Sequence, residues 1–449
     1  KVRPHGAPKG ARTAMTLRAA RGETESFYVV LEAPAGMRVR ASCSVFTSDR
    51  SELPSKIATF SRAYFVDAGN ERLADAVVAL GDRSAVAKAD ESLPLVVDVA
   101  VPRSALPGSY LAVVTVTGDG RELAKVPVTL NVMPVEIPAT ASLPTAFTFG
   151  ARDVWMVHNG PKSRLPSIAQ RYALSGLKHR VSLVGGSGVV PAQEGTTPGE
   201  GWMELDFSRF DSEVQPFMNG VSELDGAQAT SLGLSSPSGL SQMERFKYVL
   251  AVRKHLREHG WSNRMVLVDG VPLFAKIAPH GKATLCQCDG ITSCRATHEG
   301  DRPWWKLSGN AAPGEPSIAL GTDPIKIREI GWYAFDLDVA GIAFDDAVGG
   351  FDDAALGGKP KTTALYYPPG YAGSEGWPVE SVRLKLLRDG LEDYELLRQA
   401  DSIRKERLKA RVGELLPKPR DTEEELRGLL DDPELRTEVA PSPGVSGPR

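Results

Sequence analysis

The stretch PVESVRLKLLRDGLEDYELLRQA, residues 378–400, says more about the fold than any other part of the chain. Val382, Leu386, Leu387, Leu391, Tyr394 and Leu397 recur at the spacing of an amphipathic helix. Between them stand Arg383, Arg388, Asp389, Glu392 and Asp393, a density of charge too high for an ordinary solvated face. Arg388 and Glu392 are four residues apart and therefore share one side of the helix. Such a cluster can carry chemistry, or it can tie the helix to a larger body through ion pairs. The second reading explains it without invoking a reaction.

Upstream of this helix, short apolar strands alternate with helical patterns, which argues for parallel βα units. The clearest unit is SQMERFKYVLAVRKHLREHGW, residues 241–261. Ser241 and Glu244 make a capping-box pattern. Phe246, Val249, Leu250 and Leu256 supply an apolar stripe, and Gly260 is a natural stop. MVLVD (265–269) and VAGIAF (339–344) read as buried strands that end in Asp269 and in Asp345-Asp346. Residues 140–398 are therefore expected to form a (β/α)8-type TIM barrel, whose chemistry sits at the carboxyl ends of the strands.

The first part of the chain has a different grammar. YLAVVTVT (110–117) and VPVTLNV (126–132) flank the turn residues Gly118-Asp119-Gly120, and further apolar runs lie at 27–31 and 95–101. This pattern predicts a β-sandwich over residues 12–135. PVEIPATASLP (134–144) is a proline-rich connection between the two grammars. Residues 400–449 become charged and end in APSPGVSGPR, so a docked helical tail with a frayed end is expected.

Bulk properties exclude several functions. The chain has 449 residues with 42% apolar content, enough for two or three domains. The net charge of −3 supplies no global field for nucleic acid or an anionic membrane. No uncharged apolar run reaches the length of about 18 residues that suggests a transmembrane helix. The sequence begins at Lys1 without a signal-peptide pattern, which fits a processed secreted protein, an expression form or a fragment. Cys286, Cys288 and Cys294 crowd into CQCDGITSC, with His280 and His298 on either side. A disulfide or free thiols suit this spacing better than zinc, because C-x-C-x5-C departs from the usual ligand gaps.

The pattern S-x-R-x-x-x-x-R-D-G-x-E-D-Y-E, from Ser381 to Glu395, resembles the hallmark of a bacterial family, domain of unknown function 4091, allied to glycoside hydrolase family 123. ARGETESFYVVLEAP (20–34), LPTAFTFG (143–150), LKHRVS (177–182), RPWWK (302–306), IREIGWYAF (327–335) and ALYYPPG (364–370) extend the resemblance in order, over about residues 12–398. It implies a glycan substrate, with an N-acetylhexosaminide the class it points to, no organic cofactor, no metal, and a secreted, periplasmic or cell-surface location. It also implies an adjacent Asp-Glu pair after a barrel strand. In that pair the Asp orients the substrate's acetamido group and the Glu is the general acid/base.

Here the matching place reads VLVDGVP. Asp269 fits the orienting carboxylate, but Gly270 stands where the Glu is expected, and glycine transfers no proton. The acid can come from another loop, catalysis can have been lost while binding remains, or a short segment is missing around 269–271. Asp345 and Asp346 are the replacement candidates. Both can equally cap a loop or helix. Asp323 in GTDP can bind a sugar hydroxyl or anchor a turn. His179 and Arg180 resemble the family's HR pair near the barrel mouth, with a structural ion pair as the rival reading. Trp305 and Tyr333 are candidate sugar-stacking rings, although two consecutive tryptophans cannot face the same way on a strand. The expectation is a glycoside hydrolase, and the alternative is a carbohydrate-binding scaffold that has lost its acid.

Overall fold

The computed structural model describes residues 1–6, 12–149, 158, 164–185, 192–196, 203–234, 236–268, 271–272, 287–289, 291, 294, 303–309, 315–345, 347–348, 363–369, 378–399 and 402–416. It is a mixed structure, rich in β-strands at the start and α/β thereafter. Among the described residues the α-helices are α1 (Leu165–Lys178), α2 (Ser208–Asn219), α3 (Gln242–Glu258), α4 (Pro324–Asp336), α5 (Val382–Arg398) and α6 (Ser402–Leu415).

Two sheets share the first core. A seven-stranded sheet contains Met15–Arg21, Arg121–Glu136 and Gly108–Gly118, and a six-stranded sheet contains Thr24–Leu31, Leu93–Ala100, Ala58–Ala68 and Glu71–Ala79. Leu17, Val116 and Leu130 of the first meet Phe27, Leu95 and Val97 of the second. Residues 93–99 are buried throughout, because the six-stranded sheet is covered on both faces. Leu95, Val97 and Val99 face the other sheet. The alternate position Asp98 meets Lys385 of α5.

This sheet does not stop at the sequence boundary expected near residue 135. Val379–Ser381 pairs with Glu71–Ala79, and Tyr366–Tyr367 pairs with Val379–Ser381. A hairpin from late in the chain thus completes a sheet begun at its start.

The α/β region is built on parallel strands. Leu183–Val184, Thr145–Thr148, Gly341–Phe344, Trp304–Lys306 and Gln287–Asp289 lie side by side in that order. Ser231–Leu234 pairs in parallel with Met265–Val268. The backbone of Gly233 comes so close to Gly185 that a Cβ there would lie 2.6 Å from the Gly185 nitrogen. The strands together form a curled half-barrel. In α3 the expected capping box is present, with Ser241 and Glu244 each accepting from the other's backbone N–H. Gly260 takes the left-handed conformation at its end. The apolar stripe differs from expectation. Tyr248, Val252 and Leu256 are buried, whereas Phe246 is 58% exposed. α6 docks through Leu408 and Val412 into the core beneath α4 and α5.

α5 is not a simple amphipathic helix. Its charged residues are buried along with its leucines. It crosses α4 where Gly331 meets Gly390, with no room for a side chain at either. A Cβ on Gly390 would overlap the Arg328 carbonyl, and one on Gly331 would overlap the Gly390 carbonyl. Glycine inside a helix costs about 0.5–1 kcal/mol relative to alanine, so this close approach must outweigh that cost. Gly390→Ala is therefore expected to lower unfolding stability by about 2 kcal/mol or more, despite its better helix propensity. Urea unfolding of the full chain checks this, and unchanged or raised stability would contradict the crossing.

Candidate functional site

Strand alternation gives the five-stranded parallel sheet two faces. Phe147, Trp305, Ile342 and Phe344 join a core with Tyr172 of α1 and Ile330 of α4, so this face is the outer one, covered by helices. Ala146, Val184, Trp304 and Ala343 form a separate cluster on the inner, concave face. Trp304 lies opposite Gly341 in the ladder, and a Cβ on that glycine would come within 2.6 Å of the indole. Lys306 is two residues beyond Trp304 and opposite Ala343. Asp345 is two residues beyond Ala343. The same alternation that turns Trp304 inward therefore turns Lys306 inward, and Asp345 follows at the carboxyl end of its strand.

There the two meet. Lys306 Nζ lies 2.7 Å from Asp345 Oδ2, with the carboxylate side chain 64% exposed. The turn that holds Asp345 is tied to its neighbours. Leu307 N–H donates to Ala343 O at 2.8 Å, and Ala347 N–H donates to Thr148 O at 3.1 Å. An accessible carboxylate beside an ammonium, above an aromatic floor, can orient a polar ligand or exchange a proton. Asp269 and Asp346 lie outside the described residues, as does Gly270.

The other sequence-derived candidates are not brought to this place. His179 and Arg180 follow α1 and precede Leu183–Val184, which puts them at the amino end of the parallel sheet. His179 is fully buried, its Nδ1 donating to Ser175 O at 2.8 Å and its Nε2 3.6 Å from Glu380. Arg180 donates to Glu395 at 2.9 Å and to Pro138 O at 3.0 Å. Their burial corrects the expectation that this pair binds sugar at the mouth. Trp305 belongs to the outer core, so Trp304 is the tryptophan on the concave side. Tyr333 is buried in α4 and donates to Leu416 O at 3.2 Å, which corrects its reading as a stacking ring. Asp323 ends no strand. It is the N-cap of α4 and accepts from Ile325 N–H at 3.2 Å.

The charged residues of α5 form a structural network. Asp393 accepts two bonds from Arg328, at 2.6 and 2.9 Å, and one from Trp332 Nε1 at 2.9 Å. Arg383 reaches Asp75 at 2.9 Å, Lys385 reaches Asp98 at 2.7 Å, and Arg388 donates to Ser26 Oγ at 2.8 Å. Burial alone would raise the Asp98 carboxyl, but Lys385 and Arg388 hold it well below the ordinary range. Cys294 is buried and disulfide-bonded, which withdraws that thiol from zinc, and Cys43 is free. A second concavity lies away from the Lys306–Asp345 pair. It is a mostly apolar cleft between α1, α2 and the strands 183–184 and 231–234, lined by Phe149, Phe217, Glu213 and Ser231 among others.

The chain is similar in structure to a family 123 glycoside hydrolase from Clostridium perfringens, at 15% identity over 90% of this chain and 87% of that one, with a TM-score of 0.63. The fold is glycoside hydrolase-like. A family 39 glycoside hydrolase from Bacteroides cellulosilyticus WH2 matches at 11% identity over 87% of this chain and 83% of that one, with a TM-score of 0.31. A Bacteroides ovatus GH5 xyloglucanase matches at 8% identity over 85% and 99%, with a TM-score of 0.26. Scores this low carry no argument. No family model matches the chain, and no curated protein does.

Burial holds the His179 imidazole down to about 3, although Glu380 pulls the other way. An unfolded histidine titrates near about 6.5. Between these values the unfolded chain binds a proton that the folded chain refuses, so stability rises with pH through this window and is lost on acidification. The contribution is at most about 1.4 kcal/mol per pH unit. Denaturant midpoints measured between pH 7 and pH 4 are expected to fall, and to fall less steeply in His179→Gln. Identical slopes would show that the imidazole is not held neutral.

Proposed function

We propose that the chain is a glycoside hydrolase-like enzyme that acts on a glycan through carboxylates at the carboxyl ends of its parallel strands. One observation carries this reading. An accessible carboxylate, Asp345, stands on the concave face of a curled parallel sheet in a chain with a glycoside hydrolase-like fold. The finer assignments rest on the sequence reading. The half-barrel belongs to a (β/α)8-type barrel, the two-sheet region is a β-sandwich, and the chain is allied to the domain of unknown function 4091 proteins.

In the proposed site Asp269 orients the substrate and Asp345 or Asp346 serves as the acid. Glycosidic cleavage needs a proton on the leaving oxygen, and Gly270 cannot supply one. Lys306 fixes the position of the Asp345 carboxylate. Trp304 offers an apolar floor, although it is only 5% exposed and contributes mainly shape. The substrate is a glycan, with an N-acetylhexosaminide as the first class to test. A secreted, periplasmic or cell-surface location is consistent with the disulfide at Cys294. No helix among the described residues is long and apolar enough to cross a membrane.

A second reading is a carbohydrate-binding scaffold. It draws on Gly270 in place of the expected Glu, and on the Lys306 contact that already occupies one oxygen of Asp345. The two readings separate on a panel of aryl glycosides that includes the N-acetyl-β-galactosaminide and N-acetyl-β-glucosaminide. A hydrolase shows turnover that falls about 100-fold or more in Asp269→Asn and in Asp345→Asn/Asp346→Asn. Because Asp345 is an exposed group, Asp345→Asn is expected to leave stability within about 0.5 kcal/mol of the parent. Lost turnover in that variant then reports chemistry. A folded protein that turns over no glycoside yet binds glycans on an array belongs to the second reading.

A further inference from the structure

We propose that Asp211, His255 and His259 form a binding site for a divalent transition-metal ion, with zinc the representative, outside the site discussed above. His255 lies in the last turn of α3 and His259 caps its end, four residues on, so both imidazoles project from one side. Asp211, in the first turn of α2, faces them. The ligand atoms of all three lie within 4.8 Å of one another.

The distances bracket those of a bound ion. His255 Nε2 is 2.7 Å from Asp211 Oδ1, and His259 Nε2 is 3.8 Å from Asp211 Oδ2. Tetrahedral zinc with bonds of about 2.0–2.1 Å separates its donor atoms by about 3.3 Å. A small rotation of each side chain therefore admits the ion. Two imidazoles and a carboxylate favour zinc, nickel, cobalt or copper over calcium or magnesium, which take oxygen ligands. Three protein donors leave a further position for water.

The surroundings set the rings for this purpose. His259 Nδ1 lies 3.0 Å from His255 O. A carbonyl only accepts, so Nδ1 donates, and this bond fixes the ring with Nε2 directed toward the cluster. His255 is stacked on Phe207, with ring centroids 3.7 Å apart and planes 4° from parallel. Its side chain is 12% exposed, whereas that of His259 is 37% exposed, which leaves an entry path on the solvent side. A plain His–Asp hydrogen bond accounts for His255 and Asp211. His259 adds a third donor atom, its Nε2 3.8 Å from the other oxygen of the same carboxylate.

The test uses the full chain after chelator treatment. Calorimetric titration with zinc is expected to show one equivalent bound. His259→Gln and Asp211→Asn should each weaken binding by at least about 10-fold, and their combination should abolish it. Zinc should raise the melting temperature of the parent chain and leave that of the double variant unchanged. Cobalt titrated into the parent should give visible ligand-field bands without a thiolate charge-transfer band, which separates this site from the cysteine cluster. Circular dichroism confirms that the variants fold, and His259 is exposed enough for its replacement to be tolerated. Absence of stoichiometric binding to the parent chain would overturn the proposal. So would zinc affinity that the double variant retains, or a thiolate band in the cobalt spectrum.

Discussion

The structure depends on burying the charges of one helix. Along α5, the charges of Arg383, Lys385, Arg388, Asp389, Asp393 and Glu395 are removed from water, as is Glu392, whose carboxyl burial pushes well above its ordinary range. Taking an ion out of water costs several kcal/mol, so each charge is tolerable only with its partner in place. The partners come from every quarter of the chain. Asp75 and Asp98 belong to the six-stranded sheet, Arg328 to α4, and Arg180 to the loop before the second parallel strand. Thr24 N–H donates to Glu392, and Ser142 N–H donates to Glu395 at 2.6 Å. Such a network adds little net stability over an apolar interface of equal volume. It makes one arrangement of the sheets and the half-barrel far better than any other, because a shifted register strands several ions at once.

Within that arrangement the charged groups of the parallel sheet divide between its two ends. Structural charges gather at its amino end, around His179, Arg180 and α5. The exposed Lys306–Asp345 pair stands at its carboxyl end. The two populations differ in kind. The first is buried and held by partners from several elements, and the second is exposed. Proximity of charge in the sequence does not distinguish them, but the depth of each group does.

How much of this was legible beforehand varied with the range of the cause. The capping box at Ser241, the stop at Gly260 and the strand ends at Val268 and Phe344 depend on neighbours a few residues away, and the sequence shows them. Gly390 is a glycine inside a helical pattern, and its reason lies at Gly331, about sixty residues earlier. Trp304 and Trp305 could be known to face opposite ways, but which one faces inward depends on pairing with Gly341–Phe344. His179 and Arg180 were candidate ligands because they resemble the family's HR pair near the barrel mouth. They precede the strand, which places them at its far end. The His255 and His259 spacing was visible in HLREHGW, but Asp211 joins it only through the packing of α2 on α3.

The late hairpin carries a consequence for how the chain is made. Val379–Ser381 supplies the outer neighbour of Glu71–Ala79, and α5 neutralises Asp75 and Asp98. During synthesis some three hundred residues must leave the ribosome before those groups find their partners. Until then the nascent sheet has an open edge and solvent-demanding carboxylates on a face destined to be dry. An open edge is a template for wrong pairing, and the same carboxylates discourage it by keeping that surface wet and negative. The ions that later lock the two regions together thus serve first as a guard, holding the early half apart from other chains until its own C-terminal segment arrives.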